Sequence, residues 1–189
     1  MNKKSLLILF YLSLFGMLSI VLSCERDDIC ADVVITPRAI IRFTEFADPD
    51  NFDDVFGLQI QYIPDEGEVL EENFNANVFD ISSSADSITL SLPTTKDTAR
   101  FRFIQNFDLD ENDEEDLSDA EIDIVEFTYT RTNEYVNRAC GFKTVFSDLQ
   151  VRVLEDIENE DNRPGFILGR NVINETIEDE EAAHIHILH

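Results

Sequence analysis

FTYTRTNEYVNRACGFKTVFSDLQVRVL, running from Phe127 to Leu154, is the stretch on which the reading of this chain turns. Val125, Phe127 and Tyr129 alternate with polar neighbours over Ile122 to Thr132, and a period of two is the mark of a strand with one face buried. Asn133 and Glu134 are expected to turn the chain out of that strand. A second strand follows from Phe142 to Leu154, beyond a tight connection that carries Cys140. Its inward set changes from Phe142, Thr144 and Phe146 to Leu149, Val151 and Val153. A β-bulge near Ser147-Asp148 accounts for the change of parity.

The same period recurs on both sides. Arg38 to Phe46 sets Ala39, Ile41 and Phe43 on one face. Phe56, Leu58, Ile60 and Tyr62 share a face in the next run. Ile88, Leu90 and Leu92 alternate up to Pro93, and Phe101 and Phe103 soon after, so these two runs read as neighbouring strands. Pro64 to Ala85 is irregular, a loop with one short strand at most. Asp156 to Asp161 is an acidic loop, followed by short apolar runs at Phe166 to Leu168 and Val172 to Ile177. Ile185 and Ile187 then alternate with His184 and His186. Seven to nine short strands without a helical period predict an antiparallel, immunoglobulin-like β-sandwich. With 15 Phe and no Trp, its core must be built on phenylalanine.

A chain of 189 residues with 43% apolar content suffices for one domain with a real core. The first 23 residues do not belong to it. Lys3 and Lys4 precede an uncharged, Leu-rich run to Ser23, which reads as a signal peptide, with a membrane-spanning anchor as the rival. The ending Val21-Leu22-Ser23-Cys24 resembles the bacterial lipobox, in which the cysteine becomes the new N-terminus and carries a diacylglycerol thioether and an N-acyl chain. Several acyl chains anchor stably where one does not. The expected organisation is a signal peptide over 1–23, a lipidated tether over 24–36 and a β-sandwich over 37–189.

If Cys24 carries lipid, Cys30 and Cys140 are left as a disulfide pair in an oxidising compartment. The bridge would close a loop of about 110 residues, for which chain entropy gives at most about 4–5 kcal/mol. Two buried free thiols are the other reading. Losing Lys3 and Lys4 leaves 12 of the 14 basic residues against 40 acidic ones. That excess excludes nucleic acid as a partner, because phosphate contacts need Lys and Arg. A solvated acidic surface that keeps a tethered protein soluble is the plain explanation.

Asp108 to Glu121 concentrates this charge, with nine acidic residues in fourteen. It reads as a solvated loop, too long for a hairpin turn. Asp108, Asp110, Asn112, Glu114 and Asp119 fall at positions one, three, five, seven and twelve of a calcium loop of the EF-hand kind. Against it, Asp113 stands where that loop needs Gly, Asp119 replaces the bidentate Glu, and no helices flank it. His184, His186 and His189 could ligate a metal, yet their face lies opposite Ile185 and Ile187, so solvent exposure is the simpler reading. No nucleophile elbow, zinc-protease helix or phosphate-cradling loop is present, and no carboxylate pair stands out. An enzyme is not expected. Tyr62, Tyr129 and Tyr135 alone are a thin supply for stacking on glycans.

SCERDDIC, TPRAIIRF, LPTTKDTARF, TRTNEYVNRACGF and EEAAHIHI stand in an order that resembles a lipoprotein family of the Bacteroidota known only as a domain of unknown function. Arg138-Ala139-Cys140-Gly141-Phe142 is the most specific part. The resemblance implies an outer-membrane lipoprotein with no assigned catalytic residue, facing the periplasm or the cell surface. Glu25, Asp27 and Asp28 after the lipidated cysteine resemble the export signal to the surface in that phylum. The function expected is therefore non-enzymatic: an accessory subunit or binding module, anchored through Cys24, that docks on a protein partner in the envelope. A module for calcium or a glycan is the alternative.

Overall fold

The structure is a computed structural model that describes residues 36–67, 77–79, 84–109, 115–138, 140–154 and 165–189. Cys24, Cys30, Asp110, Asn112, Glu114 and the acidic loop Asp156 to Asp161 lie outside the described residues, as does the segment read as a signal peptide. The strands in chain order are β1 (Ala39–Thr44), β2 (Val55–Phe56), β3 (Gln59–Ile63), β4 (Asn77–Phe79), β5 (Ser84–Ala85), β6 (Ser87–Leu90) and β7 (Thr98–Gln105). They continue with β8 (Asp108–Leu109), β9 (Glu115–Asp116), β10 (Glu121–Asn137), β11 (Gly141–Leu154), β12 (Gly169–Val172) and β13 (Ile185–Leu188). No helix occurs among the described residues. Two main sheets have the orders β12-β13-β1-β6 and β11-β10-β7-β3-β4, and the expected β-sandwich is the fold observed. One pair departs from the antiparallel rule, since β1 and β13 run parallel.

The chain divides into two compact units, Val34–Glu134 with Phe142–His189, and Met1–Val33 with Tyr135–Gly141. In the described part of the smaller unit, the Cys140 N–H donates to Asn137 Oδ1 at 2.7 Å, and Gly141 has a φ of +73° that a side chain would strain.

In the larger unit the main core is a cluster fed by both sheets. Phe43, Phe101, Phe103, Phe127 and Phe146 are all fully buried. Ring pairs carry the packing from strand to strand. Phe101 and Phe127 meet edge to face at 5.6 Å, and Tyr129 and Phe146 at 5.1 Å, geometry worth about 0.5–1.5 kcal/mol beyond area burial. The parity switch in β11 is real: Asp148 sits at φ +54°, after which Leu149 and Val151 face the core. Beside this bulge, Phe146 exchanges main-chain bonds with Ile177, and the Leu149 N–H donates to Glu175 O. Part of an exposed sheet edge is thus covered.

Four sequence expectations are corrected. Phe56 to Tyr62 is two strands, because Gly57 at φ +57° breaks the run; Phe56 turns outward while Leu58, Ile60 and Tyr62 stay in the core. β6 and β7 are not neighbours. Pro93, which has no N–H to give a ladder, ends the first, and the chain crosses to the other sheet. Tyr129 Oη donates to Pro93 O at 3.0 Å, and Arg131 binds Thr94 O at 2.5 Å and Asp97 Oδ1 at 2.6 Å, which fixes the crossing. β10 continues through Asn133 and Glu134 to Asn137, and Arg138 and Cys140 are turn residues. Phe142 is exposed, so the inward set of β11 begins at Thr144.

Candidate functional site

The sequence from the end of β1 into β2 carries three exposed phenylalanines. Phe46, Phe52 and Phe56 are 56%, 46% and 61% exposed, within eleven residues that also hold Asp48, Asp50, Asp53 and Asp54. Asp, Asn and Pro shape this loop by local bonding. The Asn51 N–H donates to Asp48 O at 2.9 Å, its Nδ2 donates to Glu45 Oε1 at 2.6 Å, and its carbonyl accepts from the Glu45 N–H. The loop is also tied down at its base. Phe46 N–H donates to His189 O at 3.1 Å, the last residue of the chain, and Asp53 N–H donates to Phe43 O. The Arg42 guanidinium stands 4.4 Å above the Phe52 ring, and His186 meets the same ring edge to face. The Phe52 ring is therefore held in place, on a loop whose sequence carries four aspartates.

The histidines are not all solvent-exposed as expected: His186 and His189 are half-buried and His184 is buried. His184 is 1% exposed. Its N–H donates to Ile40 O, while its Nδ1 accepts from the Ile40 N–H at 3.0 Å, so the ring is neutral with its proton on Nε2. Position 184 precedes β13, where the parallel ladder to β1 has no further backbone acceptor for Ile40, and the ring takes that place. Burial holds the His184 pKa below its ordinary 6.5, opposed by Asp179 and Glu180. His186 is lowered as well, first by burial and then by Arg42, against Asp50. Glu180 is clamped by Arg38 through two side-chain bonds and the Arg38 N–H, and this holds its carboxyl below 4.5.

One buried carboxylate was missed. Glu126 on β10 accepts from Arg100 Nε on β7 at 2.9 Å and from Arg152 Nη2 on β11 at 2.9 Å, on the sheet face turned away from the main core. All three occupy outward positions of alternating strands, which the sequence shows, but only register reveals that they meet.

The acidic run Asp108 to Glu121 is more than a solvated loop. Its flanks pair as the two-stranded β8–β9, with Asp108 opposite Asp116 and Leu109 opposite Glu115. Leu117 and Ala120 pack with Ile104, Phe107 and Ile122 in a second small core, which recruits the run to the sheet. Of the five predicted calcium ligands, Asp108 lies in β8 and Asp119 is exposed beyond β9. Among the described residues no group of three or more His, Cys, Asp or Glu could hold a metal ion.

These features define an all-β sandwich in which His184 is bonded to the Ile40 backbone, Glu126 to two arginines, and exposed phenylalanines flank an acidic loop. The chain belongs to a family of unknown function, DUF6452, whose match spans residues 68–189, from ahead of β4 to the end of β13. No curated protein and no solved structure matches it.

Proposed function

We propose that this protein is a non-enzymatic lipoprotein of a Bacteroidota outer membrane, acylated on Cys24, that docks on a protein partner as an accessory subunit of an envelope assembly. The observation that carries the reading is the aromatic loop. Phe46 and Phe52 are exposed on a loop, and Phe56 on the strand it enters, with the backbone already bonded in place, and aromatic anchors that need no ordering are what interface hot spots are made of. Acidic residues around them favour a partner whose apolar pocket has a basic rim. The Val21-Leu22-Ser23-Cys24 ending supports the anchor. Three cysteines, one of them taken by lipid, support a Cys30–Cys140 bridge.

Chemical crosslinking of the tagged full chain in its native envelope, followed by mass spectrometry, tests this. One stoichiometric membrane protein should co-purify and be lost when Phe46, Phe52 and Phe56 are all changed to Ser. Only background from both proteins would remove the docking role. Cys24→Ser should move the protein from the membrane to the soluble fraction.

A further inference from the structure

The outward face of the five-stranded sheet has the opposite chemistry to the rest of the chain. Register sets Ile63, Arg100 and Glu126 in one row and Gln61, Arg102 and Ile124 in the next. Arg152 reaches the first row from β11. Three of the chain's 14 basic residues thus lie on these two rows with a single carboxylate, in a molecule of net charge −26. The third row, Gln59, Ile104 and Ile122, is roofed by Leu117 and Ala120, so the arginines stand on a shelf beside a small apolar wall.

The shelf is not electrostatically complete. Each guanidinium carries about five N–H donors. Glu126 takes one from Arg100 and one from Arg152. Among the described residues, Arg102 Nε is buried with no hydrogen-bond partner, as is Oε1 of Gln59, a residue 2% exposed. Buried polar atoms are nearly always paired, and exceptions point to a missing partner. Arg100 and Arg102 are two apart on one strand face, and register places the carboxylate of Glu126 opposite Arg100 but the apolar Ile124 opposite Arg102.

We infer that this shelf is a second docking surface, for a carboxylate-bearing segment of a protein, whose acidic side chains pair with Arg102 and with the outer donors of Arg100 and Arg152. Planar guanidinium forks suit carboxylates, which they bind in bidentate fashion. A protein segment is favoured over an anionic membrane because the acidic body would be repelled by a continuous plane of headgroups, whereas one segment within a Debye length of about 8 Å meets mainly the arginines. The surface is separate from the aromatic loop.

The test uses the full chain in detergent at about 0.15 M salt, where surface charges further apart than the Debye length are screened. The probes are a fluorescent peptide of alternating Glu and Val, its Lys counterpart, and vesicles containing phosphatidylglycerol. The Glu peptide should bind, with the Lys peptide and vesicles silent. Arg102→Gln should weaken binding about tenfold, and Glu126→Gln, which removes the competing carboxylate, should strengthen it. Melting curves run alongside confirm that each variant is folded. Absent Glu-peptide binding, binding unchanged by Arg102→Gln, or binding to vesicles that depends on Arg102 would each overturn the inference, the last by assigning the shelf to lipid phosphate. Changing the three phenylalanines should leave peptide binding intact, so the aromatic loop and the shelf can fail independently.

Discussion

His184 and Glu126 are both buried polar side chains, one in each main sheet, and they are stabilised in opposite ways. His184 is neutral and stands in for a missing backbone acceptor at the start of a parallel pair. Glu126 lies between two guanidinium groups whose side chains remain 50% and 61% exposed. The difference is in what is stranded when the group is lost. Without His184, the part-buried main-chain N–H of Ile40 loses its partner. Without Glu126, two half-exposed arginines turn back to solvent. The first site is a structural joint, and the second can be opened by a competing anion.

The largest effect should therefore come from His184→Ala. Leaving the Ile40 N–H unpaired costs about 1–3 kcal/mol, and the cavity adds to it, for a total of roughly 2–4 kcal/mol. At about 2–4 °C per kcal/mol for a domain of this size, the melting midpoint should fall by roughly 5–15 °C. His184→Asn offers an oxygen near the position of Nδ1 and should recover about half of the loss. If both variants melt alike, volume and not the hydrogen bond governs the site.

Glu126→Ala should cost less, about 1–3 kcal/mol. Breaking a fully buried pair costs about 3–5 kcal/mol because a charge is stranded, but these arginines can rehydrate. Denaturant melts of the two alanine variants decide the matter. A larger loss at Glu126 than at His184 would reverse the comparison.

A milder perturbation is to charge the imidazole without removing it. The unfolded chain takes up a proton near pH 6.5, whereas folded His184 resists it. Acid therefore favours the unfolded chain, and stability should decline as pH falls from about 6.5 toward the lower folded value. His186, lowered in the same direction, adds to the decline. Glu180, held below 4.5 by Arg38, contributes stability that is complete above 4.5 and lost only as pH falls through its folded value. Melting midpoints across pH 7.5 to pH 4.5 should show a first decline that is reduced in His184→Asn. An undiminished decline in that variant would place the sensitivity elsewhere.

Much of this fold was legible because alternation marks burial directly. Ala39, Ile41 and Phe43 read as core residues, and all three are fully buried; the parity switch at Asp148 was visible from Phe146 and Leu149 alone. What alternation cannot show is where a strand breaks or which strand lies beside it. Phe56 kept the pattern but lies beyond a glycine at positive φ, and Phe142 kept it beside another. β6 and β7 are separated by seven residues, so proximity in sequence suggested a pair, while Pro93 and the Tyr129 hydroxyl send them to different sheets. The site was hidden for the same reason. Arg100, Glu126 and Arg152 each look like an ordinary solvated residue until register aligns them. His184 looked exposed because it was assigned to a strand face, when it lies just ahead of the strand and bonds to the neighbouring backbone.

The smallest single effects should come from the arginines around Glu126, and their combination is the finest probe of the comparison. Arg100→Gln or Arg152→Gln alone removes one hydrogen bond from a half-exposed side chain, a loss of about 0–1 kcal/mol. Either change leaves the carboxylate with one guanidinium, so Glu126 stays paired. Removing both leaves a carboxylate whose side chain is 9% exposed without its two cationic partners. The double variant should then lose more than the sum of the single losses, by about 0.5–3 kcal/mol of coupling. A double-mutant cycle by urea denaturation measures this excess directly. Simple additivity would mean that water enters to solvate Glu126, and the site would be still easier for an outside anion to open.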